Sequence, residues 1–452
     1  MPTSRSDLRA EFAPMLRMAV PLALAELGWM AMGLEDTIMA GRLGAAALGA
    51  GSLGAMVFYP IAIGGLGFLL GMDTLVAQAH GARDAADCRR TLVNGVWLGM
   101  ALAPPFALAI LSLIPLLRVT GTNPNVMVLF DPFLKALAWG LPPLFLYAAL
   151  RRYLQAIDVV KPVTFALGSA NVVNVVGNWV LMYGHWGAPR MGLEGCGWST
   201  TIARCYMAAV LLATIVWHER RTGSLLLSIS WRPSLDRIRR LAALGMPAAL
   251  QFLFEGAVFS LVSVFAAHLD EASLAAHSIA INVVSTTYMV PLGISSAAAV
   301  RVGQACGAGD MRGAAARGWA AILLGALFMG GAGVALGIVP GWIVRVYTGD
   351  AAVISTGTLL LRIAALFQLF DGLQTVSTGA LRGLGDTRTP MLVHLAGYWA
   401  IGLPLAYVLC FKYRWGVAGI WVGLSAALIL IGSALVAVWR SRAARCITSE
   451  TG

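Results

Sequence analysis

VAGIWVGLSAALILIGSALVAVW, residues 417 to 439, runs for 23 residues without one charged side chain. As a helix rising about 1.5 Å per residue it crosses a hydrocarbon core of about 30 Å. Leu92 to Leu117 has the same character, and Leu241 to Ala267 differs only by a single acid, Glu255. None of these runs alternates every second residue, as a membrane β-barrel strand would. Working outward, hydrophobic residues make up 59% of the 452 and charged residues 12%, more apolar surface than one soluble core buries. The fold expected is therefore all-α and integral to a membrane.

Hydropathy places about twelve transmembrane helices near 14 to 40, 45 to 72, 91 to 117, 128 to 153, 162 to 183, 192 to 217, 235 to 268, 272 to 299, 314 to 340, 353 to 380, 389 to 411 and 416 to 440. The net charge of +11 would point to nucleic acid in a soluble protein, but here the arginines sit in short loops. Arg83, Arg89, Arg151, Arg152, Arg239 and Arg240 fall on one side with most of the others. The opposite loops offer Arg42, Arg118, Arg190, Arg345, Lys412 and Arg414. The asymmetry puts both termini in the cytoplasm, in a multi-pass protein of the cell inner membrane with no nucleic-acid partner. The first hydrophobic run is too long for a signal-peptide core and is read as a retained helix. Cys88, Cys196, Cys205, Cys306, Cys410 and Cys446 stand singly, so neither a disulfide framework nor a zinc site is indicated.

The chain repeats itself at half its length. Gln78 to Asp84, QAHGARD, returns as Gln304 to Asp310, QACGAGD, an offset of 226. The same offset links Pro21 to Pro247 and carries Leu43, Ala46, Leu48 and Ala50 onto Leu269, Ala272, Leu274 and Ala276. Asp158 with Pro162 recurs as Asp386 with Pro390 at 228, and Gly192 with Gly195 as Gly416 with Gly419 at 224. Two pseudo-symmetric six-helix bundles follow, with lobes at 1–217 and 234–452 and a basic cytoplasmic linker at 218–233.

An ionisable side chain at membrane depth costs about 2.5 to 3.5 kcal/mol, so each one is a functional candidate. Glu255 and Asp371 lie within about four residues of the midpoints of their segments, hence within about 6 Å of mid-depth. Two carboxylates in one dry pocket do not both stay ionised, so this pair is expected to share a proton or to bind a cation such as Na⁺. In the first half Asp36 is the expected coupling acid. Asn174 and Asn178 share a helix face at i, i+4, and Thr200 and Thr201 complete the expected acidic cluster. Glu26 and Glu35 read as structural or cavity-lining. Asp84, Asp310, Asp158 and Asp386, at helix ends beside Gly, Arg or Pro, read as caps. Arg362 is the main basic residue expected inside a helix.

EDTIMAGRLG (35 to 44), DTLVAQAHGA (73 to 82), RVGQACGAGD (301 to 310) and LRGLGDTRTPM (381 to 391) together resemble the multidrug and toxic compound extrusion family, MATE, in its NorM-type bacterial branch. The resemblance spans essentially the whole chain. It implies a V-shaped pair of six-helix bundles that exports cationic, amphipathic drugs or dyes by alternating access, in exchange for Na⁺ or H⁺. By position, Asp36 resembles the family's first-helix acid, Asn174, Asn178 and Thr200 its polar companions, and Glu255 and Asp371 the acidic pair of the second lobe. Phe367 stands where some members have a tyrosine, which leaves open the ion bound there.

A lipid-linked precursor flippase of the same superfamily would be expected to line its cleft with cationic residues. An integral-membrane transferase would need a D-x-x-x-D pair, a His-rich motif or a large catalytic loop. Neither pattern is read here, and no phosphate loop is present. The expectation is a transporter rather than an enzyme, working as a monomer in contact with membrane lipid, with no cofactor beyond its coupling ion.

Overall fold

A computed structural model describes residues 5–119, 123–221 and 231–448. Among them twelve helices are long and apolar enough to cross a membrane. Spans 1 to 6 are Leu8–Gly41, Ala45–Gly81, Ala85–Val119, Pro124–Ala156, Lys161–Leu181 and Leu193–Arg221. Spans 7 to 12 are Leu235–Ala267, Glu271–Gly307, Met311–Ile338, Ala351–Gly383, Arg388–Lys412 and Gly416–Arg445. A short helix, Pro340–Tyr347, stands between spans 9 and 10. Most of the expected linker, residues 222–230, lies outside the described residues; His218 to Arg221 continue span 6.

Spans 2 and 8 run several residues beyond the ends that hydropathy gives them, 72 and 299. Hydropathy marks where lipid ends, whereas a helix continues until its backbone is redirected. Redirection comes at the repeated motif. The N–H groups of Asp84 and Asp310 donate to the carbonyls of Ala79 (2.9 Å) and Ala305 (3.0 Å). The residues between turn left-handed, Arg83 at φ 61° and Gly309 at φ 76°. Asp84 then accepts from the N–H of Asp87 at 2.8 Å and Asp310 from that of Gly313 at 2.7 Å, capping spans 3 and 9. Asp386 likewise accepts from the N–H of Thr389 at 3.1 Å.

The described residues pack as two compact units, Leu24–Phe252 and, separately, Met1–Ala23 with Leu253–Gly452. The divisions fall inside spans 1 and 7, not at the linker. Lobes at 1–217 and 234–452 keep each span whole, but the opening segments of spans 1 and 7 pack with the other half of the chain. Two glycines show why. A Cβ on Gly67 would lie 2.4 Å from the Cα of Ala249, and one on Gly293 would lie 2.4 Å from the backbone N of Ala23. Only glycine permits so close an approach. Gly67 and Gly293 are 226 residues apart, and so are Ala23 and Ala249, so the exchange obeys the repeat.

Span 11 departs from a plain α-helix. It contains two π-helical segments, Ala396–Gly402 and Val408–Lys412, the first carrying Tyr398. A π-turn re-aims the side chains that follow it, and such turns gather at functional sites.

Candidate functional site

In the unit Leu24–Phe252, Asp36 of span 1 meets spans 5 and 6. Its Oδ1 accepts from Asn174 Nδ2 at 2.6 Å and Asn178 Nδ2 at 2.7 Å, and its Oδ2 from the Thr200 hydroxyl at 3.1 Å. Asn174 and Asn178 are one turn apart, so both amides reach the same oxygen. Ser199 donates to the Asn174 carbonyl at 2.8 Å and fixes that turn. Thr201, expected in this cluster, instead donates to the Ala136 carbonyl of span 4 at 2.9 Å. It follows Thr200 by about 100° of helical rotation and faces another neighbour.

An interhelical hydrogen bond in a membrane is worth roughly 0.6 kcal/mol on average, so three of them recover much of the cost of the acid. Beside Asp36 is a cavity of ≈ 50 Å³ whose lining includes Gly33, Thr37, Ser52, Tyr59 and Cys196. Drug-sized molecules need roughly 300 to 1,000 Å³, so in this conformation the cavity suits a small ion or a few waters.

In the other unit, Asp371 of span 10 is 5% exposed. Its Oδ1 accepts from Gln374 Nε2 at 2.9 Å, and that nitrogen also lies 3.3 Å from the Tyr398 hydroxyl. The Tyr398 hydroxyl in turn donates to Glu255 Oε1 at 3.4 Å. The two acids are thus joined through a glutamine and a tyrosine. Phe367, one turn before Asp371, stacks on Trp421 at 6.1 Å between ring centroids, and Trp421 donates to His277 Nδ1 at 3.1 Å.

The basic residues depart most from expectation. Arg362 is exposed on span 10. The arginines held inside, among the described residues, are Arg151, paired with Glu26, Arg382 near the end of span 10, and Arg204, 1% exposed in span 6. The pairing gives Glu26 its structural role, whereas Glu35 takes no part in the Asp36 cluster. Arg204 Nη1 donates to the Leu137 carbonyl at 3.3 Å, and the guanidinium lies 4.7 Å from the centre of the Phe58 ring. No carboxylate pairs with Arg204 among the described residues. A cation–π contact contributes about 0.5 to 2 kcal/mol, less than a mid-membrane arginine costs.

Sequence reasoning therefore missed Gln374, Tyr398 and Arg204. Gln374 shares a helix face with Asp371 at i, i+3, which was readable. Arg204, one turn beyond Thr200, was also readable as a cation inside an apolar run. Tyr398 carries no such signal, because a tyrosine in an apolar helix looks like packing.

The MatE family model matches the chain twice, over residues 21–180 and 247–408. A probable multidrug resistance protein NorM of Mesorhizobium japonicum is 34% identical over 441 residues, 96% of this chain and 94% of that protein. Its namesake in Rhodopseudomonas palustris is 37% identical over 448 residues, 97% and 93% of the two chains. Among solved structures, the eukaryotic MATE transporter AtDTX14 superposes with a TM-score of 0.87 at 18% identity, over 97% of this chain and 99% of that one. A MATE in a bent conformation gives 0.88 at 17%, over 100% of both chains. With twelve spans, an internal repeat matched by the family model in each half, and relatives alike over nearly their whole length, the chain belongs to the MatE family of multidrug and toxic compound extrusion transporters.

Proposed function

We propose that the protein is a multidrug efflux antiporter, exporting cationic, amphipathic compounds by alternating access in exchange for H⁺ or Na⁺. The observation that carries this reading is Asp36. Its carboxylate lies at membrane depth, held by three donors from two other spans beside a cavity of ion size. A carboxylate so placed attracts a cation, and its protonation removes that attraction. Asp36 would carry the exchanged proton, with Asn174, Asn178 and Thr200 keeping the empty site in shape. Glu255 and Asp371 would hold Na⁺ or a second, shared proton, and Phe367 would belong to the apolar surround of that site.

The named relatives are multidrug resistance proteins, which supports drugs as the cargo. The arginine asymmetry supports an inner-membrane protein with both termini in the cytoplasm, its covalent halves at 1–217 and 234–452. A monomer contains both acid sites and would need no cofactor. The test is efflux of a cationic dye from proteoliposomes under separately imposed Na⁺ and H⁺ gradients. Export driven by either gradient supports antiport. Export that ignores both would overturn it.

A further inference from the structure

Arg204 is a fully buried cation in a membrane span with no carboxylate partner among the described residues, yet it stands one turn from Thr200, a donor to the proposed coupling acid. Thr200, which donates to Asp36, precedes Arg204 by one helical turn, so their Cβ atoms are about 6 Å apart on one face of span 6. The guanidinium is fixed in place by the Leu137 carbonyl and the Phe58 ring. Leu137, whose carbonyl holds the guanidinium, lines the cavity beside Asp36 together with Tyr59.

The titratable and charged groups facing Asp36 can be named from every neighbouring element. They are Glu35, next in sequence on its own span, Tyr59 on span 2 and Cys196 on span 6, both lining the cavity, and Arg204 on span 6, behind Leu137. Span 4 presents Phe133 and Leu137 to the cavity, and span 5 the amides of Asn174 and Asn178. Arg204 is the one permanent cation in the set.

We propose that Arg204 is the resident counter-charge of Asp36, a positioning residue that holds the carboxylate ionised while the site waits for cargo. It stands one turn away instead of forming a salt bridge, so Asp36 remains free to take a cationic compound or a proton. When Asp36 takes a proton, no bond other than the new O–H is made, and the unit gains one net positive charge. The now uncompensated guanidinium then repels a cationic cargo. An unpaired arginine thereby turns proton uptake into release. The proposal rests on the reading of Asp36 as the proton-exchanging acid.

The test is an infrared pH titration of the full-length protein in lipid, following the protonated-carboxyl band that disappears in Asp36→Asn. With the charge removed in Arg204→Gln, the midpoint of Asp36 protonation should move about one pH unit towards alkaline. The alkaline limb of the efflux pH profile should move with it. Arg204→Lys, which keeps the charge but loses the planar fork, should restore the original midpoint. Should Arg204→Gln fail to reach the membrane, Arg204→Met carries the same expectation. An unmoved midpoint in the neutral variant, or an equal shift in Arg204→Lys, would overturn the counter-charge role. Normal efflux by Asp36→Asn would instead overturn the coupling role of Asp36 and leave the titration of Arg204 variants to be judged alone.

Discussion

The two acid sites solve the problem of a carboxylate in a membrane in opposite ways. Around Asp36 one carboxyl group receives three side-chain donors, two of them at 2.6 and 2.7 Å on the same oxygen. In the other unit two carboxyl groups depend on one amide and one hydroxyl, at 2.9 and 3.4 Å. The first site is rich in donors and can hold a bare negative charge. The second has, among the described residues, more acceptor oxygens than donors, a shortfall that the proposed proton or cation would make up.

The contrast is sharper because the scaffold around the two sites repeats. Gly67 and Gly293 pack alike at an offset of 226, as do the turns at Arg83 and Gly309. The acids do not. Asp36 carried forward by 226 falls on Val262, and Glu255 and Asp371 carried back fall on Trp29 and Phe145. Packing was kept at equivalent positions, whereas the chemistry was placed separately in each half.

The comparison breaks most severely at its single acid. Asp36→Asn should bring dye efflux to the level of cells without the transporter while leaving the amount in the membrane unchanged, because an amide of the same shape cannot change charge. Ordinary resistance in such cells would remove Asp36 from the mechanism. The acid pair should respond less severely but in a distinctive pattern. Glu255→Gln and Asp371→Asn should each lower efflux roughly tenfold, and the double variant should be little worse than either, since coupled sites are non-additive. A multiplicative loss would mean two independent acids.

Tyr398→Phe deletes only the hydroxyl between the acids. At roughly 0.6 to 1.7 kcal/mol for a hydrogen bond in a membrane, it should weaken the response to the coupling ion about threefold to eighteenfold. A response equal to that of the wild type would take the tyrosine out of the link. The smallest effect on transport, per correctly inserted molecule, is expected from Gly67→Ala and Gly293→Ala. Both should lower the melting temperature by similar amounts, reflecting overpacking of about 1 to 3 kcal/mol. Unequal losses would show that the repeated packing is not energetically repeated.

Span count and repeat were legible in the sequence because both are local. Each span meets lipid on its own account, so VAGIWVGLSAALILIGSALVAVW announces a helix without reference to any other. The polar set of Asp36, Asn174, Asn178 and Thr200 was legible for a related reason, since every polar group in an apolar run must find a partner. Which partner it finds depends on how each helix is rotated about its axis and on which neighbour it meets. Hydropathy averages over all faces of a helix and carries no such information. Tertiary packing alone turned Thr201 away from Asp36, set Tyr398 between Glu255 and Asp371, and left Arg204 buried while Arg362 faces outward. It also drew the openings of spans 1 and 7 into the opposite units, because the close approach at Gly67 and Gly293 involves surfaces nearly two hundred or more residues distant in the chain.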